Sequence, residues 1–174
     1  MTPMRLTLVA LLLLLPVSGS AAQAEANRGR FLSKACGFQA KLPADWKIRP
    51  SRSKKCGFTV ISPNRADGDI EVILRPGTLD DNELGFTKKE DGKWILEGEG
   101  SAEAVQIESA SWVGLQGSVA SRIYEKGFYR GLGDQTRALL FDRKHRIAEV
   151  SCFSGEQVVP EFVKGFEFLT EAPH

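Results

Sequence analysis

The sequence predicts an α+β fold, a central antiparallel sheet with a C-terminal helix packed on it. Three observations carry that expectation. From Cys36 onward, short segments alternate apolar and polar residues with the period of a half-buried strand, and they follow one another with no helical stretch between them. Two turn signals, Asp91-Gly92 and the polar run Asp142 to His145, each separate a pair of strand-like flanks. Only near the C-terminus does the period change: Val159, Phe162, Val163 and Phe166 fall at helical spacing. Strands in a run and then a helix make an α+β arrangement.

Taken in order, residues 25–34 are polar and charged and read as a loose leader to a single domain over 35–170. Phe38, Ala40 and Leu42 alternate with polar neighbours, and Pro43, Ala44 and Asp45 turn the chain toward a short strand with Trp46 and Ile48. Residues 57–63 form a third strand and Asp69 to Arg75 a fourth, with Ile70, Val72 and Leu74 on one side. Asp80, Asp81, Asn82, Glu83 and Leu84 suit one helical turn, since acidic side chains favour a helix N-terminus. Asp91-Gly92 is the preferred pair of a tight hairpin whose two central residues both take positive φ. Val105 to Glu108 and Ser118 to Tyr124 are further strands, and Gly98-Glu99-Gly100 and Gly131-Leu132-Gly133 read as turns. Thr136 to Phe141 and Arg146 to Ser151 form the last hairpin, and Pro160 suits the first turn of the closing helix. Residues 171–174 form a tail.

The N-terminus carries an address. Arg5 precedes a nearly unbroken apolar run from Leu6 to Val17, followed by small residues from Ser18 to Ala24, the three-part pattern of a secretory signal peptide over 1–24. The run falls short of the roughly 20 apolar residues of a permanent membrane span. Ala22 and Ala24 favour cleavage before Glu25, with Ser20 and Ala22 offering a second junction before Gln23. The expected location is the periplasm or the exterior, with no stable membrane insertion after cleavage. Removing residues 1–24 takes away Arg5 and no acid, leaving 22 basic and 22 acidic residues. A chain of net charge near zero lacks the field that would draw it onto nucleic acid.

Export permits disulfides. Cys36, Cys56 and Cys152 are the three cysteines, and Cys36-Gly37-Phe38 and Cys56-Gly57-Phe58 open two similar strands. If those strands lie side by side, a bridge between Cys36 and Cys56 closes a loop of about 20 residues, worth about 3 kcal/mol in the chain-entropy model. Pairings through Cys152, or no bridge, are the alternatives. Cys152 ends an apolar run and reads as a small buried hydrophobe.

Residues 38–46, Phe-Gln-Ala-Lys-Leu-Pro-Ala-Asp-Trp, resemble the opening strand, proline turn and tryptophan of PsbP/Mog1-like domains, and residues 162–169, Phe-Val-Lys-Gly-Phe-Glu-Phe-Leu, are similar to their closing helix and aromatic end. The resemblance implies an α-β-α sandwich around a central antiparallel sheet, and proteins that bind or assemble partners rather than catalyse. The two-cysteine opening departs from that pattern.

Catalytic chemistry finds little support in the residues. Histidine is the commonest base, and only His145 and His174 are present, one in a turn among cations and one at the end of the chain. A Cys152 nucleophile would want His145 within reach. No CxxC or HExxH spacing occurs, and Asp67 with Asp69, or Asp80, Asp81 and Glu83, lack the spacing of a calcium loop. No metal, cofactor or catalytic residue is therefore expected.

Two features suit binding. Lys47, Arg49, Arg52, Lys54 and Lys55 place five cations in nine residues, a surface for an anionic polymer or an acidic partner. Residues 126–134 surround Phe128, Tyr129, Arg130 and Leu132 with glycines, and aromatic and arginine side chains are the usual anchors of interfaces. The expected function is an exported, soluble periplasmic binding or accessory protein, either an immunity or inhibitor protein against a secreted toxin or an envelope assembly factor. Its partner would be that toxin or another envelope protein. The alternative is an envelope hydrolase acting through acidic residues.

Overall fold

The computed structural model describes residues 25–27, 29–63 and 68–170; the expected signal peptide, Asp67 and the tail with His174 lie outside them. Thirteen strands are described: β1 (Glu25–Asn27), β2 (Arg30–Ser33), β3 (Phe38–Lys41), β4 (Lys47–Pro50), β5 (Gly57–Ile61), β6 (Asp69–Pro76), β7 (Phe86–Lys88), β8 (Trp94–Glu97), β9 (Ser101–Glu108), β10 (Val113–Glu125), β11 (Phe128–Phe141), β12 (Arg146–Phe153) and β13 (Phe166–Phe168). One helix, α1 (Val158–Lys164), and a 3₁₀ turn at Leu79–Asp81 complete the described elements. The strands form two antiparallel sheets, a small one in the order β1-β2-β3-β13 and a large one in the order β4-β5-β6-β12-β11-β10-β9-β8-β7.

This corrects the expected fold class. The chain is mostly β, and neither the α+β sheet with a helix layer nor the α-β-α sandwich describes it. The reason lies at both ends of the sequence. The closing helix runs for only seven residues, and Phe166, which continues its apolar spacing, belongs instead with Phe168 to β13 against β3. Residues 25–34, expected as a loose leader, supply β1 and β2, with Phe31 and Ser33 buried. What covers the large sheet is therefore mainly a second sheet. Its core is an aromatic contact: Phe31 and Phe38 of the small sheet meet Phe58 of β5, with ring centroids 5.0 Å apart for Phe38–Phe58 and 5.5 Å for Phe31–Phe58, and Phe166 stacks on Phe38 at 5.3 Å. Val60, Ile70, Val72, Ala138, Leu140, Ala148 and Val150 line the same layer from the large sheet, and Val159, Phe162 and Val163 of α1 close it. The Trp112 indole N–H donates to the Phe166 carbonyl at 2.8 Å, so its burial leaves no orphan donor.

The opposite face of the large sheet is covered by the sheet itself. β9 pairs with β10 through Val105–Glu108 and with β8 through Ser101–Ala104. That division lets β7 and β8 lay Phe86 and Leu96 against Leu115, Val119, Leu139 and Ile147. The β7–β8 loop contains Asp91-Gly92, but only Gly92 has positive φ, and the Lys89 N–H to Lys93 carbonyl bond closes three residues rather than two. The local signal was right about the hairpin and differs in its turn type.

Candidate functional site

The structure separates two regions that the sequence could not rank. The first is the seam at one end of the two sheets. Cys36, in the turn before β3, and Cys56, in the turn before β5, form a disulfide with Cα atoms 5.7 Å apart. One cysteine belongs to each sheet, so the bond ties the layers together. Beside it, Arg146 of β12 reaches across the seam, donating to the carbonyls of Gly37 at 3.1 Å and Leu169 at 2.8 Å while its charge pairs with Asp142 at 2.5 Å. Its guanidinium lies 5.0 Å above the Phe168 ring.

The second region is the far end of the β10–β11 hairpin. β9 leaves β10 after Gln116, and β12 leaves β11 at Gln135, so residues 121–133 continue as a two-stranded arm. Lys126 and Gly127 form its tip, both at positive φ (51° and 84°). This is the two-residue geometry whose twist matches the flanking strands, and Gly127 takes it without a Cβ penalty. Residues 126–134 are thus a turn and a strand, and Gly131-Leu132-Gly133, expected as a turn, lies within β11. Gly133 serves space instead: a Cβ there would sit 2.5 Å from Ile123 Cδ1. The register shifts once, with Ile123 opposite Gly131 and Tyr124 opposite Tyr129, which leaves Arg130 as the extra residue of a β-bulge.

Cross-strand pairing sorts the arm's side chains by face. Arg122 opposite Leu132 and Tyr124 opposite Tyr129 share one face, with the two tyrosine rings 6.0 Å apart edge to face. Phe128 pairs with Glu125 at the tip. All four large side chains are open to solvent: Phe128 is 75% exposed, Tyr129 58%, Tyr124 57% and Leu132 56%. Charge frames them. Arg130 pairs with Glu125 at 2.7 Å and Arg122 with Glu99 at 2.7 Å. Hydrogen bonds that Arg122 donates to Tyr124 first and Glu99 second hold its guanidinium more firmly protonated than usual.

The arm's root is fixed by a group that sequence reasoning missed. Arg137, on β11, donates to the Leu84 carbonyl at 2.7 Å, the Glu97 carbonyl at 3.0 Å and Gln135 Oε1 at 2.7 Å, joining the hairpin to the turn before β7 and to β8. Partial burial pushes its pKa down. A charged residue in an apolar strand, Thr136 to Phe141, was the available signal.

The structure places the other candidate residues apart. Lys47, Arg49, Arg52, Lys54 and Lys55 are all exposed. His145 is exposed in the β11–β12 turn, while Cys152 is buried seven residues further along β12, roughly 23 Å away at 3.3 Å per residue, so no Cys–His pair forms. Asp81 accepts from the Thr78 N–H at 2.7 Å and the Thr78 hydroxyl at 2.8 Å, and these bonds hold its carboxyl below the usual range. Among the described residues, no helix is long and apolar enough to cross a membrane.

No family model and no curated protein sequence matches the chain. Solved structures do match in fold. A protein of Bacteroides thetaiotaomicron VPI-5482 superposes with a TM-score of 0.50 at 15% identity over 84% of this chain, which spans only about half (51%) of that protein's length. The solution structure of cyanobacterial PsbP (CyanoP) from Synechocystis sp. PCC 6803 gives 0.49 at 10% identity, covering 87% of this chain and 95% of that one. The resemblance to PsbP is loose and is one of fold. It transfers no functional residue to this chain.

Proposed function

We propose that this chain is an exported accessory protein that binds a protein partner through the β10–β11 arm and performs no catalytic step. The observation that carries the reading is the exposed set Tyr124, Phe128, Tyr129 and Leu132 on a two-stranded projection. Isolated apolar side chains are ordinary on a surface, but here four large ones are gathered on one narrow element with Arg130 beside them. Aromatic and arginine side chains dominate interface energetics, and a rigid ribbon presents them at little entropic cost. The apolar N-terminal run and the disulfide support a periplasmic or extracellular setting.

A narrow convex arm suits insertion into a concave site, which favours an inhibitor or immunity protein acting on a secreted toxin over an envelope assembly factor. The test is photo-crosslinking from position 128 in the intact cell envelope, followed by affinity measurement with the captured partner. Tyr129→Ala and Arg130→Ala should each weaken binding by roughly thirtyfold, equivalent to about 2 kcal/mol, with the fold intact. A captured secreted enzyme whose activity falls on binding supports the inhibitor form, and a structural envelope protein supports the assembly form. Unchanged affinity in both variants would remove the arm from the interface.

A further inference from the structure

At the opposite end of β11 from the arm, roughly 27 Å along the strand, the seam between the sheets opens into a cleft of about 530 Å³. That volume falls within the roughly 300–1,000 Å³ of small-molecule sites. Its floor is apolar: the Cys36–Cys56 disulfide, Leu74, Pro76 and Phe168. Its charged lining is of one sign, because four cations and no carboxylate face it among the described residues.

The four cations are not equivalent. Arg75 is paired with Glu149 at 2.8 Å, and Arg146 is occupied by Asp142 and by the carbonyls of Gly37 and Leu169. Both arginines therefore belong to the walls. Lys54 and Lys55 stand at the exposed rim, and neither forms an ion pair among the described residues. A ligand entering here meets uncompensated positive charge at the mouth and an apolar surface beneath it.

We propose that this cleft is a binding site, distinct from the arm, for a single-chain anionic amphiphile. A carboxylate or phosphate head would be held at Lys54 and Lys55, with an unbranched apolar tail laid over the disulfide, Leu74, Pro76 and Phe168. Charge complementarity selects the head. The tail follows from the floor, whose side chains offer no hydrogen-bond partners and so reject a polar chain such as an acidic peptide, whose backbone groups would be left unsatisfied. Of the five clustered cations between Lys47 and Lys55, only these two line the cleft, so the proposal distinguishes a specific head-group site from a diffuse basic loop.

The experiment is calorimetric titration of the processed protein with dodecanoate below its micelle concentration, with dodecyltrimethylammonium, dodecanol and a short oligoglutamate titrated in parallel. Dodecanoate should bind saturably with one equivalent per chain, more tightly than the cation, the alcohol or the peptide, and more weakly as salt is raised. The double substitution K54E/K55E should weaken it by about tenfold or more, while Arg52→Glu, a single charge reversal on the same loop but outside the cleft, should leave it within about twofold. Lys54 and Lys55 are exposed, and an unchanged circular dichroism spectrum would establish that the variant is folded. Equal binding of the cationic amphiphile, equal binding of oligoglutamate, an equal loss in Arg52→Glu, no loss in K54E/K55E, or no saturable binding would each overturn the proposal. None of these outcomes bears on the arm, whose test uses residues at the other end of the strand.

Discussion

The seam and the arm are built from the same kind of strand and differ in where their contacts come from. At the seam, residues from the beginning, the middle and the end of the chain converge: Phe31 and Phe38, then Phe58, then Phe166 and Phe168, with a covalent bond between Cys36 and Cys56. In the arm every backbone partner lies within the hairpin, and the large side chains find no cover. Long-range burial removes apolar surface from water at about 25 cal/mol per Å², so the seam spends its aromatics on stability. The arm keeps its aromatics exposed, held by the strand backbone and by contacts within the hairpin such as Tyr124 with Tyr129. Removing a side chain should therefore cost folding energy in one region and binding energy in the other.

Phe38→Ala should give the largest loss of stability, about 3–5 kcal/mol, because it opens a cavity among Phe31, Phe58 and Phe166. Urea denaturation measures it, and a loss below about 1 kcal/mol would mean that the two sheets do not share one core. Replacing Cys36 and Cys56 together by serine should cost about 3 kcal/mol through the longer reach of the unfolded chain. For a chain of this size, that lowers the thermal midpoint by roughly 6–12 °C.

Arg137→Gln tests the boundary between the regions. It should cost about 1–3 kcal/mol, since the Leu84 and Glu97 carbonyls lose their donor, and hydrogen exchange should quicken at the arm's root before it does at the seam. Tyr129→Ala and Phe128→Ala should change stability by no more than about 0.5 kcal/mol, as exposed side chains without buried partners do. A collapsed midpoint in either would erase the distinction and show the arm to be part of the fold.

The smallest effect concerns Asp81. Its folded pKa lies below the unfolded value, so the contribution of its bonds to Thr78 is fully present at neutral pH, where the carboxyl is ionised in both states. It is lost only as pH falls below the unfolded value and through the folded one. Asp81→Asn should therefore lower the neutral plateau of a stability–pH profile slightly, flatten part of the acid limb and leave the stability below both pKa values little changed. A difference from the parent chain that persisted unchanged into strong acid would contradict this assignment.

Local pattern made much of the large sheet legible. Phe58 and Val60, then Ile70, Val72 and Leu74, then Leu139 to Phe141 and Ile147 to Val150, all fall in strands near the positions that alternation and turn residues indicate, because a half-buried strand writes its period directly into the sequence. The Cys36–Cys56 pairing was readable for a related reason, since each cysteine opens a similar strand in an exported chain. Phe128, Tyr129, Arg130 and Leu132 could be singled out as anchor types, but not placed on an exposed two-stranded arm, because three glycines in the segment suggest turns when no partner strand is in view.

The sequence by itself thus determined the run of antiparallel strands, the places of most turns, the likeness of its terminal segments to PsbP-like domains and the absence of any dominant net charge. Those are properties of neighbouring residues, and neighbouring residues carry them. Tertiary structure alone decided that a second sheet, rather than a helix layer, covers the large one, that residues 25–27 and 30–33 pair instead of trailing free, and that Lys54 and Lys55 border a cleft while the other three cations of their cluster do not. Each of these depends on which distant segment arrives at a given face. That choice is made by the burial of Phe31 and Phe38 against Phe58, with Phe166 stacked on Phe38, a contact between parts of the chain whose separation no local period records.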